Sequence, residues 1–176
     1  KKEIWSTSLK KNKVNARVWS GFSFDKETKS LFVVTSNPGG IIGEDRSGDD
    51  FSASLISIDS DSGKIKWQYK HVVNDLWDFD LISNPIIVKK LKVTDKKKLV
   101  NCVIALSKTG DVIMVDIDTG LPVFDNSYVD VLVQKSDMKN VYTPSSQKFY
   151  LKPEKFSNIE VDLNNDFNHL EEDNLA

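Results

Sequence analysis

The chain has 176 residues, of which 39% are hydrophobic and 28% are charged. This composition excludes a disordered chain, and no apolar run approaches the roughly 18 residues that a transmembrane helix needs. A net charge of −2 argues against a broad basic surface for nucleic acid. The single cysteine, Cys102, excludes an internal disulfide and a paired-cysteine metal site.

Five segments show the β-branched, aromatic or alternating patterns that are typical of strands. In chain order they are residues 31–35, 54–58, 86–88, 102–106 and 112–115. Turn sequences rich in Gly, Asn, Asp and Ser lie between them. Only the stretch after Glu154 shows a weak helical stripe. We therefore predict a mostly antiparallel, all-β protein.

A hairpin pattern occurs twice. Residues 58–67 run from a strand through an Asx-type turn and Gly63 to a second strand that closes on an aromatic residue. Residues 115–124 repeat the pattern around Gly120. Glycine allows a positive φ at the turn, and the closing aromatic side chain is suited to pack on a neighbouring sheet. A repeat of this size is typical of the four-stranded blade of a propeller.

The beginning of the chain carries part of the same pattern. Lys2 and Trp5 have the spacing of Lys64 and Trp67, which predicts the closing strand of a preceding blade. The whole chain then corresponds to about three four-stranded antiparallel blades. Because a blade cannot bury both faces alone, we expect a segment of a larger propeller or a chain that needs a partner. The alternative is a small complete β-sandwich whose hairpins happen to look alike.

Six short motifs follow one another along the chain. They are Trp19-Ser20-Gly21, Thr35-Ser36-Asn37-Pro38, Arg46-Ser47-Gly48-Asp49-Asp50, Asp75-Leu76-Trp77-Asp78-Phe79-Asp80, Ser107-Lys108-Thr109-Gly110 and Tyr142-Thr143-Pro144-Ser145-Ser146-Gln147. In this order they resemble the pyrroloquinoline quinone (PQQ) dependent dehydrogenases, and most closely their membrane-type glucose and polyol members. The resemblance covers residues 1–157 and implies part of an eight-bladed propeller. Residues 158–176 then form an acidic tail or the start of a connection.

The resemblance implies functions for five side chains. Trp19 would form the floor under PQQ, and Lys108 would hydrogen-bond the quinone oxygens. Asn37, Asp78 and Asp80 would be ligands of Ca²⁺ or another hard metal ion, and Asp78 would also be the general base. Structural interpretations compete with each of these: a blade-packing tryptophan, an Asn-Pro turn, a solvated acidic loop and a surface lysine.

The expected function is the oxidation of a small alcohol, sugar or cyclitol by hydride transfer to PQQ, with electrons passed to a quinone or cytochrome. The resemblance implies a periplasmic location, membrane association through parts outside this chain, and further blades as partners. This chain alone is expected to be inactive. The alternative is a non-catalytic propeller scaffold with a decayed cofactor site. Departures from the glucose-type pattern favour it mildly, since Ser36, Val73 and Asn74 stand where those relatives carry Gly and two His.

Overall fold

The computed structural model describes residues 2–11, 14–37, 51–72, 75, 78–93, 99–124, 128–132 and 146–150. These residues form strands, turns and extended segments, and no helix occurs among them, which confirms the predicted all-β class. A helix long and apolar enough to cross a membrane is accordingly absent from this part of the chain. The weak helical stripe after Glu154 and the tail at 158–176 lie outside the described residues.

Eleven strands are defined within these residues, and all pair antiparallel. They are β1 (Lys10–Lys11), β2 (Val14–Asn15), β3 (Val18–Asp25), β4 (Ser30–Thr35), β5 (Ser54–Asp59), β6 (Ile65–Lys70), β7 (Ile86–Lys92), β8 (Leu99–Leu106), β9 (Val112–Asp116), β10 (Tyr128–Leu132) and β11 (Ser146–Tyr150). Strands β3-β4-β5-β6 form the first sheet and β7-β8-β9 the second, while β1-β2 and β10-β11 are separate two-stranded pairs. The five predicted segments fall on β4, β5, β7, β8 and β9, and β6 is the second strand of the hairpin predicted at 58–67. The additions are β1, β2, β3, β10 and β11.

The first and second sheets pack face to face around the main core. Phe32, Val34 and Leu55 of the first sheet cluster there with Val103 and Val115 of the second. Complete burial of side chains of this size contributes about 1.5–3 kcal/mol each. The central strands β4 and β5 are buried on both faces, which explains why they read as nearly continuous apolar runs rather than as alternating ones.

The closing aromatic ring of the first repeat packs on the glycine turn of the second. Trp67 of β6 covers the turn at Gly120, and its Nε1 donates to the carbonyl of Ile117 at 3.1 Å. A Cβ atom on Gly120 would lie 2.6 Å from the Trp67 ring, and the φ of +69° also favours glycine. The prediction that the closing aromatic packs on a neighbouring sheet is confirmed here.

Trp5 makes the equivalent contact on the first sheet. Its Nε1 donates to the carbonyl of Ser60 at 2.8 Å, and a Cβ on Gly63 would lie 2.7 Å from its ring. The prediction that Lys2 to Trp5 forms a strand is wrong, because residues 2–9 take no part in a ladder with any described strand. A strand needs a hydrogen-bonded neighbour, and no described strand pairs with this segment. The aromatic contact therefore persists without the strand.

The edge strands β3 and β7 keep large apolar side chains exposed. Phe22 is 67% exposed although it pairs in register with the core residue Val33, and Ile86 on the second sheet is 52% exposed. The second sheet has three strands plus an isolated bridge between Val115 and Pro122, which marks where a fourth strand begins. Among the described residues the architecture is thus a partial propeller with one four-stranded blade, one nearly complete blade and two separate strand pairs.

Candidate functional site

A row of hydrogen bonds fastens β3 to the segment that leads into β7. Trp19 Nε1 donates to the Leu81 carbonyl (2.9 Å), and Ser20 Oγ donates to the Ser83 carbonyl (3.3 Å). Further along β3, the Gly21 amide donates to Asn84 Oδ1 (2.6 Å), and Ser23 Oγ donates to the Pro85 carbonyl. These bonds join the two sheets along neighbouring strands. They place the Trp19 indole beside the chain segment that carries Asp78 and Asp80.

Gly21 lets the two segments approach this closely. A Cβ atom at this position would lie 2.5 Å from Asn84 Oδ1 and 2.7 Å from Asn84 Cγ. Any larger residue would therefore push against the side chain that holds β3 in place. The Trp19-Ser20-Gly21 motif combines an indole with the small residue that allows its strand to dock.

Lys108 is the centre of the site. Its Nζ lies 2.6 Å from Asp78 Oδ2 and 2.7 Å from Asp80 Oδ1, and 5.1 Å from the centroid of the Trp19 ring. Partial burial opposes the charged form, but hydrogen bonds and charge interactions with both carboxylates outweigh it and raise the pKa of Lys108. The residue is therefore a fixed cation at neutral pH, held between two carboxylates and an aromatic face.

Asp80 joins Asn37 to Lys108. The Asp80 side chain is 3% exposed, and its Oδ2 accepts the backbone amide of Asn37 at 2.9 Å. Its backbone carbonyl accepts the amide of Lys108 at 3.1 Å. The Asn37 side chain donates through Nδ2 to Asp75 Oδ2 at 3.0 Å, which orients its amide. One buried carboxylate thus fixes the ends of two separate segments.

Asp78 differs from Asp80 in exposure and in backbone conformation. Its side chain is 63% exposed, whereas that of Asp80 is 3% exposed. Asp78 also has a φ of +65°, a left-handed conformation that costs energy in residues other than glycine and is concentrated at functional sites. The chain therefore turns at this position in a way that leaves one carboxylate accessible to a bound molecule.

The structure brings all five predicted site residues together, and their functions in binding or catalysis remain predictions. Among the described residues, no cluster of three or more His, Cys, Asp or Glu side chains could hold a metal ion. The amide oxygen of Asn37 lies outside that residue set and is a ligand type that Ca²⁺ accepts. The motif residues 46–50, Val73, Asn74 and Trp77 lie outside the described residues.

Two further contributors to the site had no evident signal in the sequence: Asn84 holds the strand of Trp19, and the Leu81 carbonyl holds its indole. Buried Asp75, which opens the acidic motif at 75–80, orients the Asn37 amide. The contacts from β3 to this segment span 62 or 63 residues, close to the repeat length. Comparing residues one repeat apart could therefore have suggested that these segments lie side by side.

The stacked antiparallel sheets and the aromatic contacts on glycine turns define the chain as part of a β-propeller. Residues 1–175 match the family described as PQQ, the glucose/ethanol/alcohol dehydrogenase beta-propeller domain. The chain belongs to this family, which agrees with the resemblance found in its motifs.

Two relatives illustrate the match in sequence. The chain is 33% identical over 110 residues to the quinoprotein glucose dehydrogenase of Gluconobacter oxydans, covering 58% of this chain and 13% of that protein. It is 32% identical over 117 residues to a probable quinate dehydrogenase (quinone) of Xanthomonas campestris pv. juglandis, covering 65% of this chain and 15% of that protein. The chain thus spans less than a sixth of the length of either relative.

Solved structures show the same fold. A europium-containing methanol dehydrogenase superposes with a TM-score of 0.55 at 27% identity, over 61% of this chain and 18% of that one. The quinohemoprotein alcohol dehydrogenase of Comamonas testosteroni superposes with a TM-score of 0.56 at 24% identity, over 62% of this chain and 17% of that one. The second likeness concerns the fold alone.

Proposed function

We propose that this chain supplies part of the active site of a PQQ-dependent dehydrogenase that oxidises an alcohol, a sugar or a cyclitol. The observation that carries the proposal is the meeting of Lys108 with Asp78, Asp80 and the Trp19 ring. A flat anionic quinone needs an aromatic face and a cation, and an alcohol substrate needs a base. The family match supports the same class of chemistry.

The residues present fit PQQ. The Trp19 side chain is partly exposed, so its ring can stack with a flat ligand, and the Lys108 ammonium lies beside it to meet quinone oxygens. The hydrogen bond from Trp19 to the Leu81 carbonyl fixes the plane of the indole before a ligand arrives. When bound, PQQ supplies the two-electron acceptor chemistry that none of these side chains has.

The donor set also fits a hard metal ion. Asn37, Asp78 and Asp80 offer amide and carboxylate oxygens, which are the ligands of Ca²⁺ and similar ions. Asn37 and Asp80 are already held together by the hydrogen bond from the Asn37 amide to Asp80 Oδ2. We propose that these three residues hold Ca²⁺ or another hard cation beside Lys108.

Asp78 is proposed as the general base. Its exposed carboxylate can reach the hydroxyl group of a substrate that lies over the Trp19 side of the site, and it takes the hydroxyl proton on a carboxylate oxygen. Lys108, at 2.6 Å, holds that carboxylate in place while the substrate binds. Removal of the hydroxyl proton makes the adjacent carbon a better hydride donor.

The family match supports a proposal for the wider setting of this activity. We propose a periplasmic location, a quinone or cytochrome as the electron acceptor, and further blades that complete the propeller. A non-catalytic scaffold is the competing function. It is favoured by the ion pairs of Lys108, which already neutralise charge at the site and would stabilise this turn without any ligand.

PQQ binding tests the proposal. The longest protein that carries this sequence is titrated with PQQ in excess Ca²⁺, and then assayed with alcohols and sugars and an artificial electron acceptor. We expect quinone binding that Trp19→Leu weakens at least about tenfold. Trp5→Leu is the control, because Trp5 packs on the Gly63 turn and contacts none of the site residues described above. Failure of the unmodified protein to bind PQQ would favour the scaffold.

A further inference from the structure

The turn that carries Lys108 is closed by a ring of side-chain hydrogen bonds. The hydroxyls of Ser107 and Thr109 are 2.6 Å apart, and Thr109 Oγ1 donates to Asp111 Oδ2 at 2.5 Å. The amide of Asp111 donates to Ser107 Oγ at 3.1 Å, which completes the ring. Each hydroxyl has one proton, so Ser107 donates to Thr109, Thr109 donates to Asp111, and every donor is used.

Backbone hydrogen bonds hold the same turn at both ends. The Lys108 amide donates to the Asp80 carbonyl at 3.1 Å, and the Gly110 amide donates to the Ser107 carbonyl at 3.1 Å. Ser107 is buried and forms an isolated bridge with Leu81, the residue whose carbonyl holds Trp19. The turn is therefore continuous with the contacts that position the indole.

A residue of the first sheet also contacts this ring of hydrogen bonds, through Asp111. His71 directly follows β6, is buried, and places Nε2 at 3.8 Å from Asp111 Oδ2. Its backbone amide is held by the Ala53 carbonyl at 2.9 Å. Burial lowers the pKa of His71 to about 4, so the imidazole is neutral at neutral pH and leaves the negative charge of Asp111 available to the Thr109 hydroxyl.

The turn supports Lys108 in a way that its ion pairs do not. Lys108 is held by the carboxylates of Asp78 and Asp80, and the Asp78 side chain is 63% exposed. An ion pair with an exposed carboxylate contributes little to holding a side chain in place. A rigid turn fixes the backbone from which the Lys108 side chain extends.

We propose that Ser107, Thr109 and Asp111 form a positioning ring that keeps Lys108 directed at the bound quinone. The proposal rests on the function proposed above. The ring residues act through Lys108 and are not placed in contact with quinone or substrate.

A second Thr-Gly turn provides a matched control. In the turn at Gly120, Thr119 Oγ1 donates to Asp116 Oδ1 at 2.9 Å, the same pairing of a hydroxyl with a carboxylate. This turn lies in the second sheet under Trp67 and carries none of the site residues. Thr119→Val therefore removes a comparable hydrogen bond without touching the turn of Lys108.

Quinone affinity is the first measurement. With saturating Ca²⁺, we expect Thr109→Val to weaken PQQ binding about tenfold, the effect of losing one well-placed charged contact. Thr109→Ser restores the hydroxyl and should stay within about twofold of the unmodified protein, as should Thr119→Val. If Thr109→Val binds PQQ as tightly as Thr119→Val, the positioning role is overturned.

The reactivity of Lys108 is the second measurement and needs no quinone. Lys89 serves as an internal reference, since it pairs with Asp25 at 2.8 Å and Glu27 at 3.0 Å and has a side-chain exposure of 30%, against 32% for Lys108. After brief treatment with acetic anhydride, mass spectrometry gives the ratio of acetylation at the two lysines. We expect Thr109→Val to raise the Lys108 to Lys89 ratio at least about threefold, and Thr119→Val to leave it unchanged.

The two measurements separate the inference from the function on which it rests. Suppose that Thr109→Val raises the Lys108 to Lys89 acetylation ratio but the unmodified protein binds no PQQ. The ring would then still support Lys108, and the proposed dehydrogenase function would be rejected. An unchanged ratio would overturn the positioning role, whatever the variants do to quinone affinity.

Discussion

Lys108 and Asp80 are joined at both side chain and backbone. The Lys108 Nζ lies 2.7 Å from Asp80 Oδ1, and the Lys108 amide donates to the Asp80 carbonyl at 3.1 Å. Because Asp80 also accepts the amide of Asn37, a single buried residue sets the relative positions of the proposed quinone-binding lysine and the proposed metal ligand. Substitutions at this residue and its neighbours should therefore distinguish residues that assemble the site from residues that take part in its chemistry.

Asp78→Asn should abolish turnover in the longest protein that carries this sequence while leaving PQQ and metal largely bound. The amide keeps the shape and one oxygen but cannot take a proton at neutral pH, and loss of a general base typically costs about 10² to 10⁴ in rate. The control is Asp61→Asn, which removes a surface ion pair with Lys29 of similar length and exposure. Near-normal turnover of Asp78→Asn with saturating PQQ and Ca²⁺ would show that Asp78 is not the base.

Asn37→Ala should lower metal affinity rather than remove activity outright. A neutral ligand is lost, and excess Ca²⁺ should partly restore turnover by mass action. The backbone hydrogen bond from residue 37 to Asp80 is retained in this variant, so the segment should stay in place. Calorimetric titration with Ca²⁺ measures the affinity directly, and an unchanged affinity would remove Asn37 from the metal site.

Asp80→Asn should destabilise the protein more than Asp78→Asn does. The Asp80 side chain is buried, and removing its charge weakens its contact with the Lys108 ammonium by about 1–3 kcal/mol. The exposed pair of Asp78 with Lys108 should contribute at most about 1 kcal/mol to the free energy of unfolding. Urea unfolding of the two variants compares them, and equal losses would contradict the difference in burial.

Gly21→Ala should disturb the contact between the two sheets, because the added Cβ would lie 2.5 Å from Asn84 Oδ1. We expect a loss of about 1–3 kcal/mol in the free energy of unfolding and weaker PQQ binding, since Trp19 lies on the same strand. Asn84→Ala removes the obstructing side chain. The double variant should therefore be more stable than the sum of the single losses predicts, and strict additivity would argue against the clash.

His71 should make the protein less stable in mild acid. Burial lowers its folded pKa to about 4, despite the opposing attraction of Asp111, whereas an unfolded histidine titrates near 6.5. Below pH 6.5 the unfolded chain gains a proton that the folded chain does not accept. The free energy of unfolding therefore falls by roughly 3 kcal/mol between pH 6.5 and pH 4, and no further below that.

His71→Gln should flatten this part of the pH profile, as measured by urea unfolding at several pH values. His169→Gln is the comparison, since the chain has two histidines and this variant leaves His71 intact. Equal acid sensitivity of both variants would show that His71 does not remain neutral in the fold.

Local sequence determined the strands and the hairpin turns of this protein. Alternating and β-branched runs mark which residues can line a sheet, and Gly63 and Gly120 supply the positive φ that their turns require. Strand β3 escaped this pattern because Ser20 and Gly21 interrupt its apolar residues, and its pairing shifts register between Val18 and Phe22. The order of the motifs also identified the family, to which residues 1–175 belong.

Only the tertiary structure decided which side chains meet. Lys108 and Asp78 are 30 residues apart, and Trp19 and Leu81 are 62 apart, so no local periodicity relates them. The same holds for His71, whose contact with Asp111 joins one sheet to the other. A periodic sequence pattern indicates which face of a strand is buried. It does not indicate which side chains pack against that face, because this depends on how the two sheets stack and on the hydrogen bonds from β3 that fix their relative position.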